Sequence, residues 1–152
     1  MSRPVRARRH LAAVAAASLV ASLGACSTRQ ETYCNAVTEH QEELSRIIDA
    51  GGPDALIRAL DIFGDLQSKA PSDIRDEWQQ VVGRIRALED ALEAAEVDPA
   101  TYDRDDPPDG VTDAERARID AAARELGSIE TQTALESLDQ QARDVCQTPL
   151  TL

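Results

Sequence analysis

Apolar residues recur at three and four residue spacing from Thr32 to Val145, and the pattern is cut by Gly51-Gly52-Pro53, Ala70-Pro71 and Gly127-Ser128. A period near 3.6 places such residues on one stripe of an α-helix, whereas a half-buried strand needs strict alternation, so the chain must fold as helices on helices. Cys34, Val37, Leu44, Ile47 and Ile48 make the stripe of a first helix over Thr32 to Ala50, which Gly51-Gly52-Pro53 ends. Pro53 suits the first turn of a second helix running to Lys69, with Leu56, Leu60, Phe63 and Leu66 on one stripe and Ile57 and Ile62 widening it. Ala70-Pro71 stops it, and Ser72 is expected to cap a third helix whose stripe is Ile74, Trp78, Val81, Ile85, Leu88, Leu92 and Ala95. Residues 98–112 carry three prolines, one glycine and five aspartates and read as a long exposed acidic loop. Thr112-Asp113-Ala114-Glu115 is a capping box. It opens a helical stretch with Ile119, Ala122, Leu126, Ile129, Leu135, Leu138, Ala142 and Val145 facing inward, broken at Gly127-Ser128. Beyond the first thirty residues the aromatics are Tyr33, Phe63, Trp78 and Tyr102 alone, so the core is built from aliphatic side chains and Ala, which suits closely packed helices.

The chain begins with Arg3, Arg6, Arg8 and Arg9, followed by an Ala- and Leu-rich run from Leu11 to Ala25. This is the layout of a secretory signal peptide. The run is shorter than the roughly 20 apolar residues that a membrane-spanning helix needs. Leu23-Gly24-Ala25-Cys26 closes it and resembles the lipobox of bacterial lipoproteins. The resemblance implies cleavage before Cys26 and acylation of Cys26, hence a protein anchored to the extracytoplasmic face of the cell membrane. Two or three acyl chains, at about 0.8 kcal/mol per buried methylene, hold a protein on a bilayer stably. Arg8-Arg9 also bears a faint likeness to a twin-arginine signal, so the export route stays open. The expected organisation is a signal peptide at 1–25, a lipidated tether at 26–31, a helical domain at 32–147 and a tail at 148–152.

Residues 26–152 hold twelve basic and twenty-eight acidic residues, a formal charge of −16. Binding a phosphate backbone needs basic patches, so this balance argues against nucleic acid as a partner. Anionic headgroups repel such a domain within a Debye length of about 8 Å, so the body is expected to stand off the membrane it is tied to, and the charge serves either to draw a basic envelope protein or only to keep the protein soluble. Arg greatly outnumbers Lys, which occurs at Lys69 alone, a bias that suggests a GC-rich genome such as an actinobacterium's.

With Cys26 lipidated, Cys34 and Cys146 are the two remaining thiols, and an even pair in an exported protein reads as a disulfide. Such a bond puts the start of the first helix and the end of the last at one end of the molecule, which an up-and-down bundle of four helices provides and five full antiparallel helices do not. One straight helix from Thr112 to Cys146 would be about 50 Å long, so Gly127 must mark a bend or a short crossing helix. The expected fold is therefore all-α: four main helices with one extra short helix or kink, clasped by a terminal disulfide. The lipobox, Tyr33-Cys34, Ala70-Pro71 before Ile74-Arg75-Asp76-Glu77-Trp78, and a closing helix ending at Cys146 together resemble a group of small helical lipoproteins of actinobacteria. That resemblance supports the fold and the disulfide and implies no activity.

His40 is the single histidine after cleavage, so neither a Ser-His-Asp site nor a multi-histidine zinc site can be assembled. Glu39, His40 and Glu43 read as a solvated helix face rather than a metal site. Two Glu-x-x-His pairs, the mark of a di-iron bundle, do not occur. An EF-hand counted from Asp105 would place Pro107 at its third position and Arg116 where a bidentate Glu is required, so the loop reads as solvated acid rather than a calcium site. Trp78, in step with Ile74, Val81 and Ile85, reads as core rather than as an exposed anchor. The expectation is a non-enzymatic lipoprotein of the cell envelope, without cofactor or metal, acting as an interaction or structural module. A carrier of an apolar small molecule held between helices is the alternative, and a two-carboxylate hydrolase stands third.

Overall fold

A computed structural model of the protein describes residues 12–152, with side chains from residue 28 onward. The n-region arginines and the side chains of Leu23, Gly24, Ala25 and Cys26 lie outside the described residues. Among the described residues there are six helices and no strand: α1 Ala12–Ala50, α2 Ala55–Arg58, α3 Leu60–Lys69, α4 Arg75–Ala94, α5 Asp113–Leu126 and α6 Ile129–Cys146. The first helix does not begin at Thr32 as expected, since the residues just ahead of it already belong to α1. Thr32 Oγ1 donates back to the carbonyl of Thr28 at 2.8 Å, one turn earlier.

Several stops act as the sequence requires. Gly51 and Gly52 take φ of +65° and +100°, backbone that a side chain disfavours, and Gly51 N–H closes on Ile48 O at 3.0 Å. A Cβ at Gly52 would lie 2.9 Å from Asp54 Oδ1. The capping box at Thr112 is complete, Thr112 Oγ1 accepting Glu115 N–H at 3.3 Å and Glu115 Oε2 accepting Thr112 N–H at 2.8 Å. Ser128 caps α6 by accepting Thr131 N–H, and Thr131 Oγ1 donates to Glu125 O at 2.9 Å, which pins the joint between α5 and α6.

Three further expectations are corrected. The helix expected from Pro53 to Lys69 is broken at Ala59, which is fully buried. The bend seats α2 and α3 each against both α1 and α4, so tertiary burial overrides an unbroken helical pattern. Ser72 does not cap α4. Ile74 is the N-cap, without a side-chain bond, and its N–H reaches Pro71 O at 3.4 Å. Burying Ile74 fixes where this helix starts. On α6 the buried stripe is Thr131, Ala134, Leu138 and Ala142, leaving Ile129 69% and Val145 38% exposed rather than inward. Three of those four inward residues are small, which lets α6 approach its neighbours closely.

Packing contacts join α1 to α3, α3 to α4, α4 to α6 and α6 back to α1. The core they enclose holds Tyr33, Val37, Leu44, Leu66, Trp78, Val81, Val82, Ile85 and Leu138. The helix α5 packs along α4, where Leu92 and Ile119 are buried apart from that main cluster. The tail at 148–152 is no loose end. Past a left-handed turn at Gln147 (φ +56°), Leu150 enters the core, Gln41 Nε2 donates to Pro149 O at 2.9 Å and Leu152 N–H donates to Ser45 Oγ at 2.8 Å.

Candidate functional site

Cys34 and Cys146 are joined, with Cα atoms 5.0 Å apart across a sequence separation of 112. The adjacent Tyr33, which the apolar stripe of the sequence passes over, is wholly buried. Its hydroxyl accepts the Trp78 Nε1–H at 3.2 Å, and the two rings meet edge-on at 6.5 Å. Phe63 packs against Trp78 with its ring tilted, centroids 5.7 Å apart. Burial pushes the Tyr33 phenol up to about 12 against the opposing pull of the Trp78 bond, with the Asp73 charge adding to the rise. A phenol so held stays neutral near pH 7, and Trp78, fully enclosed, is a core residue and not a surface anchor. This end of the molecule is built for cohesion.

His40 turns away from Glu39 and Glu43, both exposed, and bonds Asp65 of α3 through Nε2 at 2.9 Å. Lys69 Nζ meets the same Asp65 Oδ2. The Lys69 bond, then the His40 bond, holds the Asp65 carboxyl below the usual carboxylate range. The cluster ties α1 to α3 on the surface. Among the described residues no group of three or more His, Cys, Asp or Glu side chains could hold a metal ion.

The acidic loop spends two of its carboxylates on its own turns. Asp98 Oδ1 accepts Ala100 N–H at 2.9 Å and Asp103 Oδ1 accepts Asp105 N–H at 2.8 Å. Arg104 reaches Asp120 of α5 at 2.9 Å, which lays the loop along that helix. At the end of α4, Glu96 takes a left-handed φ of +53° while Val97 N–H returns to Leu92 O at 3.1 Å. From Glu89 to Glu115 the chain has eleven acidic residues and Arg104 as its one basic residue, a net −10. This stretch begins about 16 Å along α4 from Trp78 and runs on past the helix end at Ala94, roughly 24 Å away at 1.5 Å per residue. Sequence counting gives the total charge, but the arm on which it gathers emerges from the α4–α5 pairing.

No helix among the described residues is long and apolar enough to cross a membrane. No family model, no curated protein and no solved structure matches the chain.

Proposed function

We propose that the protein is an actinobacterial envelope lipoprotein, acylated at Cys26 and held on the extracytoplasmic face of the cell membrane as a non-enzymatic interaction module. In this reading α1, the bent pair α2 and α3, α4 and α6 form an up-and-down bundle of four. The closed circuit of helix contacts and the disulfide between Cys34 and Cys146 support that arrangement. The observation that carries the function is the net −10 gathered between Glu89 and Glu115, on an arm remote from the lipidated end. An anchor at one end and concentrated charge at the other suit a protein that presents an acidic surface to a basic envelope protein, steering its approach. Cross-linking in membranes followed by binding kinetics tests this. The association rate should fall as salt rises to physiological strength while dissociation barely changes, and an association rate flat in salt would leave the charge as a solubility feature. The anchor is tested separately: Cys26→Ala should leave the membrane fraction. The carrier alternative has one observation in its favour, an apolar hollow of about 180 Å³, small beside the roughly 300 to 1,000 Å³ of common ligand sites.

A further inference from the structure

In a chain whose residues 26–152 carry a formal −16, one surface feature has the opposite sign. A solvent-open hollow between α1 and the end of α3 is lined by Thr28, Arg29, Thr32, Ser68 and Lys69, two cations and three hydroxyl side chains, with no carboxylate in the lining among the described residues. Arg29 makes no ion pair among the described residues, and its guanidinium donors are left to solvent. Lys69 gives one N–H to Asp65, a carboxylate it shares with His40, and keeps two. Glu31 stands two residues on from Arg29, about 200° round the helix and away from the hollow.

The place of this hollow in the chain decides what it meets. Arg29 is three residues past Cys26. Those residues rise about 4.5 Å as helix and reach about 11 Å at full extension, so with Cys26 acylated Arg29 stays within reach of the headgroup phosphates on either geometry. We propose that the hollow docks on the phosphates of anionic phospholipids, turning the anchored end of the domain onto the membrane and the acidic stretch of Glu89 to Glu115 away from it. The helix α4 starts six residues after Lys69 and carries the chain off towards that stretch. The net charge repels the body from the same headgroups, and docking by this cationic face satisfies both forces. The inference rests on the acylation of Cys26 in the reading above and adds the orientation in which the acidic arm is presented.

Lys69 is the single lysine of the chain, so its labelling by a water-soluble amine-acylating reagent, read by peptide mass spectrometry, reports on the hollow alone. Protein extracted from membranes with its acyl groups is reconstituted at low salt into vesicles of phosphatidylcholine, or of phosphatidylcholine mixed with phosphatidylglycerol. The anionic vesicles should slow the labelling by roughly fivefold, the weight of one basic residue near an anionic surface, and high salt should restore it. Arg29→Glu should remove the slowing. Arg46→Glu, the same change of charge about 26 Å further along α1, should leave it intact. Equal labelling on the two kinds of vesicle, or a slowing that survives Arg29→Glu, overturns the docking. Inorganic phosphate that slows labelling as strongly on phosphatidylcholine vesicles marks a site for a soluble anion and overturns it as well. The acylation reading fails on a separate result, isolated protein with no acyl mass on Cys26, and the docking falls with it.

Discussion

Two parts of the molecule, joined by α4, are held in contrasting ways. Around Tyr33 and Trp78 the chain is crossed by a disulfide, a ring cluster and a buried hydrogen bond, and four helices contact one another in a circuit. Beyond Ile85 the same helix runs on beside α5, with Leu92 and Ile119 as its separately buried apolar residues and the densest charge of the chain at its tip. Like charges repel in the folded arm, and a small apolar contact has to offset that repulsion. Cohesion and charge have been kept apart.

Breaking the clasp should have the largest effect. For Cys34→Ser with Cys146→Ser, the chain-entropy model for a loop of 112 residues gives a loss of about 5 kcal/mol. Chemical denaturation measures it, and a loss below about 1 kcal/mol would show that the packed rings hold this end without the bond. Truncating the core on each side sharpens the contrast. Trp78→Ala should cost about 4 kcal/mol because it opens a cavity that four helices cannot close. Leu92→Ala should cost about 2 kcal/mol, since the two helices of the arm can close partly around the gap. Equal losses would erase the distinction.

The protonation equilibria give smaller effects with defined signs. The Tyr33 phenol titrates at about 12 in the folded protein, above its ordinary value near 10. The unfolded chain therefore loses that proton first, and the stabilisation from the neutral buried phenol is full below pH 10 and lost as pH rises from 10 towards 12. In a Tyr102→Phe background, which leaves Tyr33 as the single tyrosine, tyrosinate absorbance should appear near pH 12 or together with unfolding. Absorbance rising at pH 10 with the fold intact would contradict the burial. Asp65 runs the other way. Its carboxyl is lowered by Lys69 and then by His40, so its contribution is present above about pH 4 and fades as pH falls through its lowered value. The penalty of Asp65→Asn should be small and shrink below pH 4, and a penalty constant from pH 7 to pH 3 would show that its ion pairs contribute nothing.

Much of this was legible in the sequence where a local signal decides the structure. Gly51-Gly52-Pro53, Ala70-Pro71, the Thr112 capping box and Gly127-Ser128 act through backbone chemistry that neighbours do not alter. The Cys34–Cys146 bond followed from compartment and parity, and Trp78 from the cleanest stripe. What stayed hidden was decided by contacts between distant residues. The break at Ala59 carries no Gly or Pro, and Ile74 rather than Ser72 opens α4 because burial outweighs a hydroxyl cap. Leu150 follows a proline just past the last helix, with no periodicity to mark it as core. Ile129 and Val145 looked inward by hydrophobicity, yet the contact face of α6 is centred on Ala134 and Leu138. For the proposed function, the acidic count was open to inspection and its place on an arm was not.

Native-state hydrogen exchange tests the division most directly, because it reads the opening free energy of each helix separately. Amides of α5 and of α4 beyond Ile85 should exchange through a local opening that is insensitive to reduction of the disulfide. Those of α1, α6 and the first turns of α4 should exchange only through global unfolding and lose protection when the disulfide is reduced. A single opening free energy shared by α5 and α6, falling together on reduction, would contradict the account.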